Sequence, residues 1–365
     1  MKFNYKYLLL FFFGLLASCS SDDDYQGIDS EESPVQLDLS QVPYPKLSDY
    51  VFFKEVLKDQ IPVYGVIPFQ PASSLFTDYA LKKRFVWMPD NTKATYAGDG
   101  EILDLPVGAA LIKTFYYNNV QPENSTKILE TRLLIKKQDN WIFANYVWNE
   151  EQTEAYLDTE GLDVDITWYD SNGNLRNTIY NIPSAQDCNI CHGDFLLNKD
   201  LPLGIKPQNL NFNYTFDDGI KNQLQKWIDF GYLEDNLPLN ILSIIDYEDT
   251  SQSLDLRARS YLDVNCSGCH KDGGYADFYV LRLAFDKTTV DENIGICQIP
   301  GHQMPGFEGD YLLTPGNHEH SMLFARMNTN DFYYKMPMRG RSIIHDEGNA
   351  LIAQWIDAMP PVVCD

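Results

Sequence analysis

Alternation of apolar and polar positions dominates the first half of the chain. Leu129, Thr131, Leu133 and Ile135 alternate with Ile128, Glu130, Arg132 and Leu134, which predicts a half-buried strand. Residues 110–117 and 141–148 are further runs rich in β-branched and aromatic side chains. Residues 163–169 and 175–182 flank Asn172-Gly173, a pair suited to the tight turn of a hairpin. Residues 46–181, which hold no histidine and no cysteine, therefore read as an antiparallel β domain, sandwich-like in class. Its Trp87, Trp141, Trp148 and Trp168 suit a core, with a ligand groove as the alternative.

The period then lengthens to that of a helix. Residues 253–265 bring Leu254, Ala258, Tyr261 and Leu262 near one face, and residues 219–233 do the same with Ile220, Leu224, Trp227 and Ile228. Residues 346–359 carry a stripe of Leu351, Ile352, Trp355 and Ile356, with acidic Asp346 and Glu347 at the start and Pro360-Pro361 as the stop. Mostly helical structure is expected beyond the β domain.

Cys266-Ser267-Gly268-Cys269-His270 closes the helix of residues 253–265, and Cys188-Asn189-Ile190-Cys191-His192 repeats the pattern earlier in the chain. C-x-x-C-H is the attachment sequence for c-type haem, because one helical turn sets two sulfurs beside each other for thioether bonds and the next imidazole meets the iron. Cys188, Cys191, Cys266 and Cys269 are the expected covalent sites for two haem groups, with His192 and His270 as iron ligands. A zinc site or a redox dithiol is the alternative use of the same side chains. Downstream of His270, Met336-Pro337 is the expected distal-ligand loop, with Met336 as ligand and Met338 as second candidate. Helix with motif, methionine loop and closing helix resemble a class I cytochrome c, which assigns residues 251–365 to such a domain and residues 182–250 to a first haem-attachment segment. Between Gly193 and Asn265 there is neither His nor Met, so a distal ligand at the first iron must come from elsewhere, or the iron stays five-coordinate.

At the N-terminus, Lys2 and Lys6 precede an apolar run over residues 8–17 that is too short to span a bilayer but suits a signal-peptide core. It ends Leu16-Ala17-Ser18-Cys19, which resembles a bacterial lipobox with Cys19 as the lipidated residue, so residues 1–19 are read as a lipoprotein leader and 20–45 as an acidic linker. Ser20 and the acidic run after it resemble outer-membrane sorting signals, with the body on the periplasmic or cell-surface face. The formal charge of −24 excludes nucleic acid as a partner and suits a basic redox partner. Of 7 cysteines, Cys297 and Cys364 remain after the motifs and the lipid site, and in an exported chain they are expected to form a disulfide.

Several longer strings carry a family resemblance: Lys46-Leu47-Ser48-Asp49-Tyr50, Leu75-Phe76-Thr77-Asp78-Tyr79-Ala80, Leu111-Ile112-Lys113-Thr114-Phe115-Tyr116-Tyr117 and Tyr146-Val147-Trp148-Asn149-Glu150-Glu151. With Pro315-Gly316 and Met336-Pro337, they resemble a family of exported dihaem c-type cytochromes. That resemblance implies two covalent haems, an envelope location and a parallel β-helix repeat protein as a partner. The expected function is a membrane-anchored dihaem electron carrier between envelope redox proteins. The alternatives are a dihaem peroxidase-like oxidoreductase with an open first haem, or a ligand-binding β module with an auxiliary cytochrome.

Overall fold

Strands before the first cysteine motif follow the alternating stretches of the sequence. They are β1 (Phe53–Lys54), β2 (Ile61–Pro62), β3 (Ile67–Pro68), β4 (Leu81–Trp87), β5 (Ala110–Val120), β6 (Ser125–Lys136), β7 (Trp141–Trp148), β8 (Ala155–Asp158), β9 (Leu162–Tyr169) and β10 (Leu175–Ile182). The computed structural model describes residues 32–364; Cys19, the expected leader and most of the acidic linker lie outside the described residues. β1 and β2 pair with each other, and the other eight strands form one antiparallel sheet ordered β10-β9-β5-β6-β7-β8, with β4 on β5 and β3 on β4. β5 is long enough to serve two neighbours along one edge: β4 pairs with residues 110–116, and Trp168 of β9 pairs with Val120. The β9–β10 hairpin turns at Asn172-Gly173, where Gly173 takes φ +79° and Asp170 Oδ1 accepts from the amides of Asn172 and Asn174, each at 2.9 Å.

Both faces of the central strands are covered. Phe85, Ile112, Leu133, Ile135, Tyr146 and Trp148 face one way and pack with Leu47, Tyr50, Phe52 and Phe53 from the preceding segment. Val86, Leu111 and Leu134 face the other way and pack with Leu103, Leu105, Ile205, Leu210 and Trp227. β6 is thus buried on two sides rather than half-buried, and Glu130 within it is 0% exposed. This corrects the sandwich expectation. The covering layers are irregular chain and short elements, including the helical turns that hold Leu210 and Trp227, and not a second large sheet.

After β10 come α1 (Cys188–His192), β11 (Gly193–Asp194), β12 (Lys199–Asp200), α2 (Pro207–Leu210), β13 (Asn213–Phe216), β14 (Gly219–Asn222) and α3 (Gln223–Phe230). The remaining helices are α4 (Leu254–Cys266), α5 (Asp291–Ile294), α6 (Met322–Met327) and α7 (Asp346–Asp357). Among the described residues the fold is predominantly β, with 26% strand against 19% helix, and no cytochrome-like helical haem domain is evident; the expected multidomain arrangement with mostly α haem domains is therefore incorrect. Ser33–Asp365 groups as one compact unit. The physical reason is short helices: α5 and α6 run for 4 and 6 residues, and Gly295 at φ +90° closes α5. α3 also starts later than its apolar spacing suggests, because the Asn222 side chain caps the amides of Leu224 and Gln225 while residues 219–222 pair with β13. Ile220, expected on the helix face, stands on a strand and is 73% exposed. α4 and α7 do pack together, through Ala258, Tyr261 and Leu262 against Leu351, Ile352 and Trp355.

Candidate functional site

The two C-x-x-C-H segments, far apart in sequence, touch. The first forms α1, whose approach is fixed by Ser184 Oγ donating to Asp187 Oδ2 at 2.8 Å. The second lies where α4 ends, after Ser253 caps the helix start through the Leu256 amide. Cys269 Sγ donates to the carbonyl of Ile190, the residue before Cys191, at 3.2 Å. A Cβ on Gly268 would lie 3.4 Å from the Cys191 carbonyl oxygen and 3.1 Å from Leu203 Cδ1, so the small residue permits the close approach. Beyond the motifs, Phe195 N donates to Gly273 O at 2.7 Å and extends the contact.

All four motif cysteines are free thiols. The neighbouring Cys269 thiol holds Cys191 below its ordinary value, and burial pushes Cys266 up to about 12. His192 Nδ1 lies 2.8 Å from the Leu201 carbonyl, which places the proton on Nδ1 and leaves Nε2 with its lone pair. Its ring packs 4.6 Å from that of Phe143. His270 Nδ1 is buried and has no partner among the described residues. Burial pushes both imidazoles down to about 4, so both are neutral at neutral pH. Two thiols per helical turn, each pair followed by a neutral imidazole, one of which has an orphaned nitrogen, are a donor set that fits c-type haem. Among the described residues, no group of three or more His, Cys, Asp or Glu side chains is placed to hold a metal ion by itself.

The methionine loop is anchored beside the first motif. Arg339 Nε pairs with Asp187, the residue before Cys188, at 3.2 Å, and the amides of Ser342 and Ile343 donate to Asp78. Met336 is held through its backbone, its N–H donating to Arg326 O at 2.8 Å and its carbonyl accepting from Arg341 Nε at 3.1 Å. Cys297 and Cys364 are joined by a disulfide. A cavity of about 150 Å³ adjoins the first motif, lined by Cys188, Cys191, His192, Phe143, Asn145 and Arg339. Its volume suits a few waters or a small ligand, so a porphyrin on Cys188 and Cys191 requires rearrangement or lies outside it. A second cavity, of about 770 Å³, opens between β4, β9 and the start of α7, and Phe76, Tyr79, Trp168, Tyr247 and His345 contribute to its wall. The His345 ring stacks on Phe76 at 4.1 Å and its Nδ1 lies 3.1 Å from Tyr261 Oη.

Sequence reasoning missed a row of polar residues crossing the sheet. Arg84 of β4 pairs in register with Lys113 of β5, Lys113 with Arg132 of β6, and Arg132 with Asn145 of β7. The charges of Lys113 and Arg132 act on Cys191 and His192, so the row runs to the first motif. Glu130 balances one of these cations, accepting from Arg132 Nε at 2.8 Å and Nη2 at 2.5 Å, and it also accepts from Tyr180 Oη at 2.7 Å. The sequence signal was present in the charged residues set inside apolar strands, but only the strand register aligns them. No family model, curated protein or solved structure matches the chain.

Proposed function

We propose that the chain is a dihaem c-type electron carrier of the cell envelope, anchored to the outer membrane through a lipid on Cys19. The observation that carries this reading is the meeting of the two motifs, with Cys269 Sγ against the Ile190 carbonyl. A haem covalently bound at each motif supplies a one-electron iron couple. The protein's part is positional. Cys188 with Cys191 and Cys266 with Cys269 fix two attachment points side by side, and the Leu201 carbonyl orients His192 so that Nε2 is its free donor. Adjacent attachment points are what a two-centre carrier needs, because an electron received at one is then close to the other. The net charge of −24 favours encounter with a basic redox partner. From the family resemblance, a parallel β-helix repeat protein is the proposed companion.

One observation favours a second reading, a peroxidase-like oxidoreductase. The cavity beside His192 is lined by Arg132, Asn145 and Arg339, and both side-chain polar atoms of Asn145 are buried there without partners among the described residues. Such groups could hold a small polar substrate. Absorption spectra of mature protein, with a peroxide-consumption assay, separate the readings. Two low-spin centres without turnover support the carrier; turnover abolished by His192→Ala supports the enzyme.

A further inference from the structure

The molecule carries an excess of negative charge, yet its central sheet gathers more positive charge than it balances, with Arg84 buried and Lys82, Lys113 and Arg132 part-buried. Lys82 Nζ, Lys113 Nζ and Arg132 Cζ lie 5.9, 4.8 and 4.4 Å from the centroid of the Phe115 ring. Arg84 stands beside Lys113 in register and is 7% exposed. The carboxylate of Glu130 is taken up by Arg132 and Tyr180. Lys82 finds only the Ala80 carbonyl, at 2.6 Å. Among the described residues, the Arg84 guanidinium and the Lys113 ammonium have no side-chain hydrogen bond or ion pair. Desolvation, the first cause in each case, holds both lysine ammonium groups well below their ordinary range and Arg84 down to about 10. A buried cation without a partner opposes folding unless an anion joins it.

Lys82 and Arg84 also line the cavity of about 770 Å³, whose other walls include Phe76, Tyr79, Trp168 and Tyr247. That volume is within the usual range of ligand pockets. Two further cations on the wall are already engaged: Arg176 pairs with Asp170 at 3.1 Å, and Arg257 Nε donates to the Tyr247 carbonyl at 2.8 Å. Arg84 is thus a nine-tenths buried donor, without a partner, at the edge of an aromatic cavity.

We infer that Lys82 and Arg84, backed by Lys113 in the next strand, form a carboxylate-binding site for a ligand with a flat apolar body, the carboxylate engaging Lys82 and Arg84 and the body packing on the aromatic wall. The guanidinium fork supplies two parallel donors to one carboxylate, and Lys82 adds a further donor beside it. Two sources offer this chemistry: the propionate groups of a haem attached nearby, and a free aromatic acid. The first source rests on the haem reading above, whereas the second stands without it.

The test uses full-length mature protein as wild type, Arg84→Met, Lys82→Met and Arg84→Lys, with circular dichroism confirming that each variant is folded. Haem content is counted first, so a protein without haem removes the first source and leaves the site to be decided by the second. Spectroelectrochemical titration reads the haem potentials, and calorimetry with benzoate reads binding of a free carboxylate. If propionates occupy the site, the reduction equilibrium of one haem falls about tenfold in Arg84→Met and Lys82→Met, equivalent to about 59 mV for one electron. Arg84→Lys then retains most of the wild-type value. If a free acid occupies it, wild type binds benzoate, the Met variants bind at least about tenfold more weakly, and the potentials do not move. Unchanged potentials together with no benzoate binding overturn the inference.

Discussion

Replacing Glu130 by Gln removes the carboxylate of the cation row while keeping its shape. Glu130 is 0% exposed and accepts three hydrogen bonds, two from Arg132 and one from Tyr180. The substitution would leave Arg132 facing a neutral amide, with Lys82, Lys113 and Arg84 still in the same patch. Breaking a buried ion pair from one side costs about 3–5 kcal/mol. The Arg132 side chain retains 28% exposure, so solvent screens part of the loss and the low end applies, about 3 kcal/mol. The assay is urea unfolding followed by tryptophan fluorescence, for Glu130→Gln, Arg132→Met and the double variant. Removing both partners leaves no stranded charge from the pair, so the double variant should be more stable than the sum of the singles implies, by about 2 kcal/mol. A single-variant loss below about 1 kcal/mol, or strict additivity, would refute the view that Glu130 is the counter-charge on which this patch depends.

Three further outcomes are expected. Cys297→Ser with Cys364→Ser opens a bridge spanning a sequence separation of 67 residues and should cost about 4 kcal/mol in chemical unfolding, from the loop entropy released. Polypeptide made without haem attachment should oxidise across the motifs to a Cys191–Cys269 disulfide, since Cys269 Sγ lies 3.2 Å from the carbonyl of Ile190, the residue before Cys191; non-reducing peptide mapping that found only Cys188–Cys191 and Cys266–Cys269 pairs would contradict the geometry. Amides of Asn174 and Asn172, with the Arg176 side chain, hold Asp170 down to about 2 from 3.8. A carboxylate depressed on folding contributes stability above its unfolded value and loses it as pH falls through the folded one. The β9–β10 turn should therefore loosen between about pH 4 and 2, and an Asp170 carboxyl resonance titrating near 4 in the folded protein would be the opposing result.

What the sequence made legible was what local chemistry alone decides. Asn172-Gly173 announced its hairpin, the apolar spacing of residues 253–265 its helix, and the two C-x-x-C-H segments their own helical turns. Three features depended on distant parts of the chain. Irregular chain and short helices cover the faces of the sheet, and several of the apolar residues that do so, such as Leu103, Leu105 and Ile205, recur at no strand or helix period. Residues 219–222 carry an apolar residue at helical spacing yet pair as a strand, because β13 offers a partner and Asn222 caps the helix behind them. The contact between Cys269 and Ile190 follows from tertiary packing, which no spacing within either motif encodes. The row from Arg84 to Asn145 likewise exists only once four strands are in register.

The most direct test of the central claim is mass-spectrometric peptide mapping of protein exported through a host with c-haem maturation. The peptide containing Cys188 and Cys191 and the peptide containing Cys266 and Cys269 should each carry one haem mass, with no thiol left to alkylate in either. Two unmodified, fully alkylatable peptides from a host that loads other c-type haem proteins would contradict it.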